Sequence, residues 1–293
     1  MKSKLIILAL LAAALTISCG GEGKEKKSET GNVWVRQAPR VTKVEVACGE
    51  TLLETFQYTY DEAGRLKTLL KKDELSGEVL LDLEYTYPAQ NQMRIQGKFF
   101  PISTNRFITV DYDSEHQEFT YTGSWASGWT YKTTCDDAGV AVKTASDVRF
   151  AASGGQYTAN TAFEELYAVE GGCIRSVTTG SRTEATGSHS TRVASEQCYS
   201  EDFTYTDNAD RQDFSAYIMP GNFPVWIAAG IPGNKKLPAA SSARSGRGTP
   251  VAYPETKSFE YSFDAAGNLQ SAKRTDYNNS EVILVRTYKF FYE

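Results

Sequence analysis

The chain has 293 residues, 31 basic and 36 acidic, with a formal net charge of −5; it holds 17 Tyr and 14 Phe against 3 Met. The charges are spread along the sequence, which argues against a basic nucleic-acid footprint, and the aromatic-rich composition favours strands. Two histidines and no Cys-x-x-Cys pair argue against zinc, thioredoxin-like and triad chemistry, so no metal, cofactor or catalytic residue is expected.

Lys2 and Lys4 precede an apolar run of eleven, Leu5–Leu15. A membrane-spanning helix needs about 20 apolar residues, so the run reads as a signal segment. It ends in Thr16-Ile17-Ser18-Cys19, which resembles the lipobox of bacterial lipoproteins, with Thr16 where Leu is usual. The resemblance implies cleavage before Cys19 and acylation of its thiol. Residues 1–19 are thus a lipoprotein signal peptide. The chain is expected in the bacterial cell envelope, held on a membrane by lipid, with the outer membrane as first candidate and the body facing periplasm or cell surface. Residues 20–39 read as a flexible tether, since 20–31 carry no apolar side chain.

The next segment, FQYTYDEAGRL at 56–66, places Phe56, Tyr58 and Tyr60 on one face of a strand. Asp61 to Gly64 then suits a type I turn closed by a residue of positive φ. The Asp carboxylate can accept from amides further along the turn. The pattern recurs at Asp136–Gly139 and at Asp264–Gly267, with a degenerate copy in FTYTDNADRQDF at 203–214. Asp61, Gly64, Asp136, Gly139, Asp264 and Gly267 are therefore turn residues of repeated β-hairpins. Further turns are expected at 88–92, 113–117, 123–128, 153–156 and 180–187. The best helix-periodic stretch, Thr161–Val169, is only two turns long.

About twelve to fourteen strand candidates follow from alternation. The fold class is all-β: an antiparallel meander of hairpins closing into a barrel or a strongly curved sheet, because a long meander otherwise leaves open edges. Val282–Tyr292 is expected to pair back to Val41–Ala47. Residues 40–293 form one domain, interrupted by a Pro-rich insertion at 218–257; six of the nine prolines lie between Pro220 and Pro254.

Cys48, Cys135, Cys173 and Cys198 remain after Cys19, and four cysteines in an exported chain allow three connectivities. Cys173 and Cys198 are nearly symmetric about Ala185-Thr186, which favours their pairing in one hairpin and leaves Cys48 with Cys135; buried thiols are the alternative.

Tyr58-Thr59-Tyr60-Asp61-Glu62-Ala63-Gly64-Arg65-Leu66 resembles the tyrosine–aspartate repeats of Rhs-type proteins. With FTYTDNADRQDF, the 233–238 segment GNKKLP and the final hairpin FEYSFDAAGNLQSA, residues 40–293 resemble a family of bacterial exported lipoproteins of unknown function, described as having a porin-like β fold. That family brings no catalytic residues.

Asp111, Asp113 and Glu115 have the spacing that opens a calcium loop but lack its Gly and closing Glu. His189 sits in a Ser/Gly turn without a nucleophile elbow, and Arg244 and Arg247 read as a solvated loop. Trp125 and Trp129, flanked by Tyr121 and Tyr131, are the ligand-binding candidates: aromatic faces on which sugar rings can stack. The expected function is a non-enzymatic binding or envelope module for a glycan or an envelope protein. The alternatives are a carrier of a small apolar ligand inside the barrel and, third, an enzyme or a transmembrane porin.

Overall fold

The computed structural model describes residues 32–35, 39–99, 102–123, 130–136, 140–151, 157–187, 191–209, 236–245 and 255–293. Sixteen strands close into one antiparallel barrel. In chain order they are β1 (Val41–Cys48), β2 (Thr51–Tyr60), β3 (Leu66–Asp73), β4 (Val79–Ala89), β5 (Gln92–Phe99), β6 (Ile102–Asp113), β7 (Glu118–Gly123) and β8 (Thr130–Cys135). Then come β9 (Ala141–Ala151), β10 (Tyr157–Glu170), β11 (Cys173–Gly187), β12 (Thr191–Ala209), β13 (Lys236–Ser245), β14 (Thr256–Phe263), β15 (Leu269–Asn278) and β16 (Glu281–Tyr292). Each strand pairs with its sequence neighbours, and β1 pairs with β16 through Val44↔Phe290 and Val46↔Tyr288, the closure expected from the sequence.

Strict alternation of direction gives the barrel two rims. At the motif rim, even strands end and odd strands begin. The Asp-x-Ala-Gly turns lie here. The Asp61 carboxylate accepts from the Arg65 amide (2.9 Å), that of Asp136 from the Val140 amide (2.9 Å), and that of Asp264 from the Ala266 and Asn268 amides (2.9 and 2.8 Å). Gly64 and Gly267 take φ of 79° and 82°, the left-handed geometry the turn needs. Gly139 lies outside the described residues.

The same rim is tied by tyrosines. Tyr60, Tyr87, Tyr261 and Tyr292 donate from the ends of even strands to the carbonyls of Val41, Leu66, Pro238 and Leu269 at 2.6–2.8 Å, and Tyr205 donates likewise to Ile174. Each bond runs diagonally to the start of the preceding odd strand. The ring packs against the core while the hydroxyl reaches backbone, a use to which tyrosine is suited.

Several sequence expectations need correction. Thr161–Val169 belongs to strand β10, and 180–187 is the second half of β11 rather than a turn. The 218–257 insertion contains a barrel strand, β13; its Pro238 is accommodated opposite Tyr205 at a register shift, where a missing N–H costs no regular ladder bond. The body begins at Asn32, not at 40, because Trp34 is wholly buried at the motif rim.

Neither expected disulfide is present, and the register explains why. Cys198 stands opposite Gly180, while Cys173 opens β11 seven residues earlier, about 23 Å away at about 3.3 Å per residue. Cys48 ends an odd strand at the far rim and Cys135 ends an even strand at the motif rim. A disulfide needs Cα atoms about 4.4–6.8 Å apart. Burial pushes the Cys135 thiol up to about 12. The intact mass of residues 32–293 is expected at the fully reduced value; a mass lower by two or four hydrogens would overturn this.

Candidate functional site

Alternation sends every second side chain of a closed barrel inward. On β2–β7 the inward residues toward the motif rim are apolar and packed shut: Leu69, Met93, Ile95 and Val110 are 0% exposed and Leu83 is 1% exposed, while toward the far rim Lys71 pairs with Glu54 at 2.8 Å. Trp34 closes this half at the motif rim. Its indole N–H donates to the Gln90 carbonyl (2.9 Å) and its ring lies 6.2 Å from Tyr87 and 6.0 Å from Phe119.

The opposite wall is polar. One ladder of directly paired residues runs Thr133↔Thr144↔Glu165↔Thr179↔Tyr199 across β8–β12. The hydroxyls of Thr133 and Thr144 bond each other at 3.1 Å in full burial. Tyr199 donates to Glu201 (2.8 Å), which leads to a second group further round. There Glu201 accepts from the Ser241 hydroxyl and is ion-paired with Lys257. Lys257 stands opposite Asp276 in the β14–β15 ladder, and Arg274 grips Asp276 with two hydrogen bonds of 2.6 and 2.9 Å.

The electrostatics of this wall follow from burial. Burial raises the Glu201 carboxyl, but the Lys257 ammonium and the donors Lys257, Ser241 and Tyr199 outweigh it and hold the group below the usual Glu range. Glu165 goes the other way: burial pushes it up, and the Tyr167 and Thr179 hydroxyls offset only part of that. Burial also raises the Tyr199 hydroxyl, with Glu201 adding to the rise.

Packing differs between the two halves. Glu165, Thr179, Tyr199 and Val177 face inward yet keep partial exposure, unlike the sealed residues of β3–β6. The polar wall keeps partial exposure at these four positions.

The residues singled out from the sequence fall elsewhere. Tyr121 is 1% exposed inside the sealed half, so it forms no outer aromatic platform. Tyr131 pairs with it on β8; the Tyr131 side chain, Trp125, Trp129, His189, Arg247 and Cys19 lie outside the described residues. Arg244 belongs to β13 and faces Asp202 at 3.6 Å. Asp111 accepts from its cross-strand partner Gln92 (2.8 Å), while Asp113 accepts from the amides of Glu115 and His116 and meets the exposed His116 ring at 2.7 Å, so Asp111 links two strands and Asp113 shapes the turn.

Sequence reading missed the inner polar wall, although its signal was present. Lys257 shares parity with Phe259 and Tyr261, Glu201 with Phe203 and Tyr205, and Glu165 with Tyr167 and Val169. A charge on the apolar parity of a strand is a charge pointing inward.

Two solved porin-like proteins are similar to this chain. One, from Bacteroides vulgatus ATCC 8482, has 14% identity and a TM-score of 0.40, covering 86% of this chain and 98% of its own. The other, from Bacteroides uniformis ATCC 8492, has 15% identity and a TM-score of 0.36 with the same coverage. No protein family and no curated protein matches the chain.

Proposed function

We propose that the protein is a non-enzymatic, lipid-anchored binding module of the bacterial envelope that takes a hydroxyl-rich ligand, a glycan, against the polar inner wall. The observation that carries this reading is the divided lumen: one half is sealed by apolar packing and Trp34, and the other presents Glu165, Thr179 and Tyr199 with partial exposure. Hydroxyl and carboxylate groups with partial access suit sugar hydroxyls. An apolar-ligand carrier is disfavoured, because the apolar half is filled by its own side chains.

The deep carboxylates are engaged structurally, Glu201 by three donors and Asp276 by Arg274, which supports binding rather than acid–base catalysis. The outer surface supports an aqueous setting for the body. Outward positions in mid-strand include Asp82, Glu84, Arg94 and Gln96, all exposed, where a lipid-facing barrel needs an apolar band about 25 Å tall. The anchor rests on the Cys19 leader.

The test is equilibrium binding of residues 32–293 to immobilised glycans, with an environment-sensitive apolar dye as the opposing probe. Sugar binding without dye uptake is expected. Stoichiometric dye binding with no sugar binding would replace this reading with the carrier.

A further inference from the structure

Glu165 differs from the other carboxylates of the polar inner wall. Glu201 has Lys257, Asp276 has Arg274, and on the outer face Glu164 has Lys143 at 2.5 Å. Glu165 is mostly buried, and its oxygens accept from two hydroxyls, Tyr167 at 2.5 Å and Thr179 at 3.4 Å. No cation among the described residues forms an ion pair with it.

The groups around it are neutral on every side. Thr144 faces it from β9 and is bonded to Thr133; Thr179 faces it from β11; Tyr199 follows on β12 and is turned to Glu201; Tyr167 lies on its own strand. Lys143 and Arg182, on the flanking strands, are exposed on the outer face. Lys257 and Arg274 are taken up by Glu201 and Asp276, and the inward Arg286 stands opposite Arg274 on β16, away from Glu165, so Glu165 is the one inner-wall carboxylate of β8–β15 without an ion-pair partner among the described residues. A carboxylate held this way is costly until a cation meets it, and a charge-assisted bond to such a cation is stronger than a neutral one.

Resting on the glycan reading, we propose that the ligand carries a protonated amine, as an amino sugar does, and that Glu165 receives this ammonium while Thr179 and Tyr199 meet the ring hydroxyls. Three roles follow from the residue types. Glu165 selects the charge, the flanking hydroxyls select a hydroxylated ring, and the Lys257–Glu201 pair behind them fixes the wall.

The experiment is calorimetric titration of residues 32–293 with glucosamine, N-acetylglucosamine and glucose, probes that differ in the ammonium group. Glucosamine is expected to bind at least tenfold more tightly than the other two, a ratio equivalent to about 1.4 kcal/mol. Glu165→Gln is expected to erase that ratio, so that glucosamine and glucose bind the variant equally, with the melting temperature unchanged or higher. Equal affinity for all three sugars would overturn the amine assignment and leave the glycan reading standing. Binding of none would overturn both. A Glu165→Gln variant that keeps the glucosamine preference would remove Glu165 from the site, and the wild-type comparison decides the proposal even where the variant does not fold.

Discussion

Trp34→Ala is expected to destabilise the barrel by about 3–5 kcal/mol, the range for truncating a fully buried Trp. The side chain is 0% exposed. Its loss uncovers the rings of Tyr87 and Phe119 and leaves the Gln90 carbonyl without its indole donor. The main chain adds little of its own: Asn32 turns the segment through its side chain and carbonyl (both 3.0 Å), and Val35 makes a single bridge to Arg65. Without the indole, the segment should therefore leave the rim. Removal of residues 1–38 should then cost about as much as Trp34→Ala. Trp34→Phe should fall between, with most of the packing kept and one hydrogen bond lost, about 1 kcal/mol. Urea unfolding of the four proteins decides this. A Trp34→Ala cost below about 1 kcal/mol would show that the barrel holds its rim closed without the plug.

Trp34 also shows where sequence reading stops. One aromatic residue at the end of a polar run carries no periodicity, so nothing in GNVWVRQAP separates a plug from a tether. The hairpin tips were legible because their chemistry is local: Asp61 and Asp264 bond amides within four residues, and Gly64 and Gly267 supply the positive φ. Closure was legible for a different reason, since an alternating first and last strand leave two edges that can pair. Strand β13 was not: KLPAASSARS has no β-branched or aromatic residue and a Pro besides, and it is a strand because β12 and β14 hold it on both sides. The disulfides failed on register. Symmetry about 185–186 places Cys173 opposite Cys198 only if the turn falls there, whereas β11 runs on to Gly187 and turns after it.

The inner polar wall gives the second large effect. Lys257→Met is expected to cost about 3–5 kcal/mol at neutral pH, the penalty for breaking a buried pair and leaving its partner charged. Both side chains are nearly inaccessible, 3% for Lys257 and 7% for Glu201, so water cannot take the place of the ammonium. Ser241 and Tyr199 still donate to Glu201 in the variant, but two hydroxyls do not balance a buried charge. The sign of the pH dependence separates this account from a simple packing loss. In the wild type the Glu201 pKa is depressed, so its contribution is present above the unfolded Glu value of about 4.3 and fades as pH falls through the lower folded value. In Lys257→Met, burial is no longer opposed by the ammonium and the folded pKa rises. The penalty then grows as pH rises from about 4.3 and is smallest at acid pH. Unfolding measured at pH 4.5 and 7 should show the variant closer to wild type at the lower pH. The double variant Lys257→Met, Glu201→Gln should recover most of the stability at pH 7, because it removes the stranded charge rather than restoring the pair. A cost that is the same at both pH values, and the same in the double variant, would mean that Lys257 serves the barrel through the volume of its side chain and not through its charge.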